Sequence, residues 1–239
     1  EKYKFQLAYF EQHFYKDSTG RKDMERYVHF ATAELENLLR AGSVRDIICN
    51  RTNNLDFNKV LQDGEVVLLC TRPADIGGTA HAGFGRFFLT LLMCAVEGRP
   101  GSDKTRIPYF LYVDEFDKYA SPFFSDMVTL YRKYRVGTIL AVPTLSSLGG
   151  ASSPFMQTLL SNCPTKITFG NCTPEEYAWW EKEFGQRREW SAPNSYTPDK
   201  IDGINWSWKE IMSVAKIQGL KFKTCIYKMK DSKGKNVVN

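Results

Sequence analysis

A chain of 239 residues with 43% apolar and 25% charged side chains has the composition of a folded protein and room for one α/β domain with additions, which excludes disordered and fibrous classes. Its net charge of +5 is modest, and a solvated surface carries such a charge without any nucleic-acid role. Six scattered cysteines without a C-x-x-C pair indicate reduced, cytosolic usage, three dispersed histidines are too few to complete a zinc site, and no apolar run approaches the roughly twenty residues of a membrane span.

Taken in chain order, Met24, Tyr27, Val28, Ala31, Leu35, Leu38 and Leu39 recur at helical spacing and predict an amphipathic helix over 21–40. A shorter helix through Val44 to Ile48 completes an N-terminal helical region, residues 1–52. After the turn signal Asp63-Gly64, Glu65 to Cys70 (EVVLLC) reads as a buried strand. Phe84 to Val96 is apolar nearly all round, as suits a helix pressed on a sheet, and Tyr109 to Val113 (YFLYV) is a second buried strand. Ser121-Pro122 caps a helix lined by Phe123, Met127, Leu130 and Tyr134, and Gly137 to Val142 is a third strand. Lys166 to Phe169 is a fourth, before a capping-box helix opened by Thr173 and Glu176. Alternating strands and helices predict an α/β layer with a mostly parallel sheet over 53–186. Residues 187–239 read as a linker without regularity, then a basic extension with a strand at Phe222 to Tyr227 and a hairpin turn at Asp231 to Gly234.

The chemistry-bearing signal is Asp114-Glu115, two acids emitted at the carboxyl end of the YFLYV strand, where open α/β sheets place their ligands. Two readings fit: a Walker B pair, or an ordinary strand exit with solvated acids. No phosphate-binding loop accompanies it. Gly98 to Thr105 ends in Lys-Thr but has Asp103 where the motif needs glycine. The glycines from Gly77 to Gly85 have Phe88 where a dinucleotide fingerprint needs its third glycine, so tight turns explain them better than an anion nest.

The run from Leu55 to Gly185 resembles the later half of the motor domain of type IV secretion coupling proteins, the TraG/TraD branch of the FtsK/HerA superfamily. The resemblance is carried by Asp56-Phe-Asn-Lys-Val-Leu with Gly64-Glu-Val-Val-Leu-Leu, YFLYVDEF, Leu130-Tyr-Arg-Lys-Tyr134, GTILAV, and Leu160-Ser-Asn-Cys-Pro-Thr-Lys-Ile-Thr-Phe-Gly170. It implies a RecA-like ATPase core, partial because the Walker A half is missing from these residues. It also implies roles: Asp114 holds Mg²⁺ through its water shell, Glu115 polarises the attacking water, and Arg132 reaches a neighbouring subunit's γ-phosphate. A solvated basic face is the other reading of Arg132, since Lys133 and Arg135 adjoin it. Where the family presents a γ-phosphate-sensing glutamine, this sequence has Pro143, which lacks both a polar side chain and an N–H; Thr144 is the residue left to contact nucleotide.

The expected function is therefore part of a ring-forming, DNA-translocating ATPase that delivers DNA or a relaxase–DNA complex to a type IV secretion channel. ATP and Mg²⁺ are its expected cofactors, and a homo-hexamer its expected assembly. It would work at the cytoplasmic face of the membrane, held there by N-terminal segments outside these residues. ATP turnover is expected only from a longer chain that supplies Walker A. The alternatives are a degenerate, non-catalytic adaptor that binds DNA or a partner, and a viral DNA-packaging motor. Seven lysines against one acid from Lys216 onward fit salt-sensitive DNA binding and a solvated hairpin alike.

Overall fold

The computed structural model describes residues 3–13, 18–52, 54–78, 80–150, 153–191 and 205–239. The chain divides into two units, Glu1–Tyr109 and Phe110–Asn239.

The described elements of the first unit are helices. α1 (Lys4–His13) and α2 (Ser18–Arg40) make the N-terminal helical region, and α3 (Gly42–Ile48) follows. α4 (Phe57–Asp63) begins where the Asp56 carboxylate accepts the Asn58 N–H at 2.9 Å. It stops at Gly64, whose φ of 71° lets its own N–H and that of Glu65 reach back to the Val60 carbonyl. α5 (Pro73–Ile76) is a single turn, and α6 (Ala80–Glu97) is the long apolar helix. Val44, Ile76, Ala80 and Phe84 form a buried cluster against which Leu38, Ile48 and Phe88 pack. Each such side chain contributes about 1.5–3 kcal/mol on burial. A Cβ added to Gly83 would lie 3.4 Å from Leu38 Cδ1, so a small residue is what lets α6 approach α2. Gly83 and Gly85 are thus helical rather than part of an anion-binding loop. The Gly98–Thr105 segment is a turn. There Arg99, 5% exposed, donates from Nη2 to the carbonyls of Leu61 at 2.5 Å and Ile107 at 2.7 Å.

Residues 65–70, read from sequence as a buried strand, form none. No described strand pairs with them, and Val66 and Leu68 are 84% and 92% exposed. A β-strand is defined by its neighbour's hydrogen bonds, and an apolar run alone cannot make one.

The second unit holds the sheets. β1 (Tyr109–Val113) pairs with β2 (Val136–Leu140), and between them lie two 3₁₀ turns, α7 (Ser125–Leu130) and a third 3₁₀ turn, Tyr131–Tyr134. Ala141 donates to the Val113 carbonyl and accepts from the Phe116 N–H, each at 2.9 Å, the alternation of a parallel pair. α8 (Pro154–Asn162) packs on α7. β3 (Lys166–Thr168) does not extend the parallel pair. It joins β6 (Ile226–Lys230), which joins β7 (Asn236–Val238), and all these pairings are antiparallel. The parallel layer predicted from sequence is therefore two strands wide among the described residues.

α9 (Pro174–Phe184) starts at the capping box foreseen from Thr173 and Glu176. β4 (Gln186–Ser191) and β5 (Asn205–Glu210) form an antiparallel pair, where sequence suggested irregular chain. Their alternation is charged and aromatic rather than apolar, with Arg188 5.5 Å over the Trp208 ring, so the usual strand signature is hidden. α10 (Val214–Gln218) precedes β6, which begins four residues later than the strand read at Phe222. The Asp231 turn is as expected, with the carboxylate accepting the Lys233 and Lys235 amides at 2.9 and 2.8 Å. Trp180, Phe184, Ile217 and Ile226 bury together, so the lysine-rich segment is core structure and not an appendage. Gly170, at φ 80°, sits where a Cβ would meet the Ile217 carbonyl at 2.6 Å, an approach only glycine permits.

Candidate functional site

Asp114 and Glu115 follow β1 directly, and both are exposed. A regular parallel ladder would have the Ala141 carbonyl accept from residue 115, yet it accepts from Phe116, one residue further on. The extra residue is Glu115, with φ 48° and ψ 44°, a left-handed conformation that costs a non-glycine residue of order 1 kcal/mol. Two anchors hold it there. Val113 is tied to Ala141 behind the acids, and Phe116 is tied to the same residue and fully buried in front of them. Asp114 stabilises the bulge by accepting the Glu115 N–H on Oδ1 at 3.0 Å. Two carboxylates are thereby pushed out at the carboxyl end of a strand, as the sequence anticipated, on a bulge that it did not reveal.

Arg132 lies in the 3₁₀ turn Tyr131–Tyr134 after α7, not within a continuous helix. Its neighbour Tyr131 is 1% exposed and fixes the turn, while Arg132 itself is exposed. Among the described residues no hydrogen bond or ion pair joins Arg132 to the two acids. An exposed, uncommitted guanidinium suits a contact with another molecule, and it suits a solvated basic face equally.

β2 leads into the loop carrying Pro143 and Thr144. Pro143 is exposed. The Thr144 hydroxyl accepts the Ser146 hydroxyl at 3.2 Å and the Ser147 N–H at 3.3 Å, and its carbonyl accepts the Ser147 hydroxyl at 2.7 Å. Thr144 thus caps a turn. Glu176, 6% exposed, secures the same loop: Oε1 accepts the Leu145 N–H, and the Ser146 N–H at 3.3 Å, while Oε2 accepts the Thr173 N–H at 3.1 Å. The capping box was legible in sequence, but its hold on a loop 31 residues away was not.

One carboxylate of the set could bind magnesium in the way expected of it. Asp114 keeps Oδ2 clear of the bulge bond, and a water-clad Mg²⁺ needs only one or two protein carboxylates beside phosphate oxygens. Among the described residues no group of three His, Cys, Asp or Glu side chains gathers to hold a metal by itself.

Residues 108–221 match the family described as the TraM recognition site of TraD and TraG. That segment, a little under half of the chain, is similar to the C-terminal region of TraG/TraD-type proteins. Among solved structures it is similar to the bacterial conjugative coupling protein TrwBΔN70 in its unbound monoclinic form, at 15% identity and a TM-score of 0.53, over 65% of this chain and 36% of that one. The trigonal form of the same protein with sulphate gives 14% identity and a TM-score of 0.54, over 78% of this chain and 43% of that one. These likenesses give the fold, a partial RecA-like α/β core. No curated protein matches the sequence. The matched segment contains the acids, Arg132, Pro143, Thr144 and Glu176, and this chain spans 36–43% of the length of the coupling protein it is similar to. No described helix is long and apolar enough to cross a membrane.

Proposed function

We propose that the chain is the Walker B half of a conjugation coupling ATPase, part of a hexameric ring that moves DNA or a relaxase–DNA complex toward a type IV secretion channel. The observation that carries this reading is the strained bulge that projects Asp114 and Glu115 from the carboxyl end of β1, within the TraG/TraD-type region. Residues held in a disfavoured conformation by buried anchors concentrate at sites of function. In this reading Asp114 orders the waters of a magnesium ion that ATP brings, Glu115 polarises the attacking water, and Arg132 meets the γ-phosphate bound by a neighbouring subunit. The same region would recognise TraM or its counterpart in the parent system, which is how the relaxosome would be brought to the ring.

The test is DNA-stimulated ATP hydrolysis by the full-length product of the gene that encodes this chain. Glu115→Gln and Arg132→Ala are each expected to lower turnover about 100-fold or more. Mixed in equal amounts, the two inactive variants should regain part of the activity, because some shared sites then receive Glu115 from one subunit and Arg132 from the next. Full turnover in Glu115→Gln would sink the motor reading.

A second reading has its own support in Pro143, which offers neither a side-chain polar group nor an N–H at the γ-phosphate-sensing position. In that case the fold serves as a partner-binding adaptor. Retained TraM-type binding with no ATP turnover in the full-length protein would select it.

A further inference from the structure

Two residues beyond Glu115 lies a carboxylate with no part in the proposed motor chemistry. The Asp117 side chain is 8% exposed; Oδ2 is 3.3 Å from Lys118 Nζ, while Oδ1 is shut off from solvent and has no hydrogen-bond partner among the described residues. A buried carboxylate oxygen without a donor is unfavourable, and its persistence asks for a ligand or partner that supplies one.

Asp117 helps to line a cleft of about 530 Å³, a volume in the range of small-molecule and side-chain sites. Three of the five hydroxyls of the wall share one chemistry, while Ser121 Oγ accepts the Phe123 N–H at 3.4 Å and Ser153 Oγ the Met156 N–H at 3.1 Å. The Ser125 hydroxyl donates to the Pro122 carbonyl at 2.7 Å, Ser147 to the Thr144 carbonyl at 2.7 Å, and Thr158 to the Pro154 carbonyl at 3.0 Å. Each hydroxyl proton is spent on local backbone, so what these oxygens offer the cleft is lone pairs. Among the described residues no Lys, Arg or His lines it. Phe155 adds an aromatic surface, backed by the buried Phe116 ring at 6.4 Å between centroids.

We propose that this cleft binds a cationic group rich in N–H donors, a guanidinium before an ammonium, with Asp117 as its counter-charge. A guanidinium brings five donors in a plane, enough to meet the Asp117 carboxylate and several hydroxyl oxygens together, and its face stacks on an aromatic ring as an ammonium's does not. The cation can arrive on a small amine or on an arginine side chain of an incoming polypeptide, and both present the same chemistry to the cleft.

The test uses the chain with L-argininamide, with the peptide acetyl-Gly-Arg-Gly-amide, and with the neutral isostere citrullinamide. Binding is read by calorimetry and by the NMR shifts of the Phe155 ring. Argininamide should shift the Phe155 signals saturably below about 10 mM, and citrullinamide should bind about tenfold or more weakly. Asp117→Asn should weaken argininamide by about tenfold or more, with an unchanged circular dichroism spectrum. A peptide that binds at least about tenfold tighter than argininamide assigns the site to a polypeptide arginine, and equal affinity assigns it to a free amine. Citrullinamide binding as well as argininamide on the unaltered chain would overturn the proposal without recourse to any variant, as would an absence of saturable binding.

Discussion

Two apolar runs in this molecule look alike as sequence and end differently as structure. YFLYV becomes β1 because β2 lies beside it and Ala141 closes the ladder, whereas EVVLLC, equally apolar and preceded by a clear turn, has no strand beside it among the described residues and stays exposed. The run that finds a partner gains more than hydrogen bonds. Its pairing fixes the anchors on either side of Glu115 and so creates the projecting acids. Strand potential is therefore a property of a pair of segments, and site geometry here follows from the pairing.

The most severe way to break the comparison is to remove the N–H that closes the ladder. Ala141→Pro deletes the donor to the Val113 carbonyl and should cost about 3 kcal/mol or more, read from urea unfolding, with loss of hydrogen-exchange protection at the Phe116 amide. A stable variant with that amide still protected would show that β2 does not hold the acids in place.

A smaller effect is expected where charge, rather than β1–β2 pairing, ties the second unit together. Glu183 of α9 receives Lys166 of β3 and Lys228 of β6, each at 3.0 Å. Burial works to raise its carboxyl pKa, but the hydrogen bonds and charges of the two lysines outweigh it and hold the group below the ordinary carboxylate range. Because the folded-state value is depressed, the stabilisation is present above the unfolded value of about 4.3 and is lost as the pH falls through the folded one. Glu183→Gln should cost about 1–2 kcal/mol at neutral pH, and the gap from the unaltered protein should close in acid. An equal gap at pH 7 and pH 3, about four units apart, would show that Glu183 acts by packing and not by charge.

The smallest effect sharpens the contrast most. Leu68→Pro places the residue that is ruinous in a paired strand into the run that has no pair, and its cost should stay within about 0.5 kcal/mol. A loss comparable to that of Ala141→Pro would mean that residues 65–70 are paired after all.

Several features of fold and site were legible because they rest on neighbours in the chain. The spacing of Leu38, Val44 and Ile48, the caps at Ser121 and Thr173, the Asp231 turn, and the acids at the end of YFLYV are each set within a few residues. The β4–β5 pair escaped notice because it is polar and aromatic on both strands. Glu176 was read as a cap, which it is, while its grip on the Leu145 and Ser146 amides depends on two distant segments meeting. Asp117 carried no signal in sequence, since an acid beside two others looks like more solvated charge until its oxygen is seen buried against a cleft.

By itself, then, the sequence determined the helices over 21–40, 44–48 and 84–96 and the one opened by Thr173, the turn at Asp231, and that two acids leave the end of an apolar strand, because these depend on backbone preferences and side-chain spacing over one or two turns. Tertiary structure alone decided which apolar run became a strand, that β3 pairs antiparallel with β6, that Glu115 is bulged into a left-handed conformation, and that Asp117 is buried. All four depend on segments far apart in the chain donating hydrogen bonds to one another or excluding water together, and no local pattern records which segment will be there to do so.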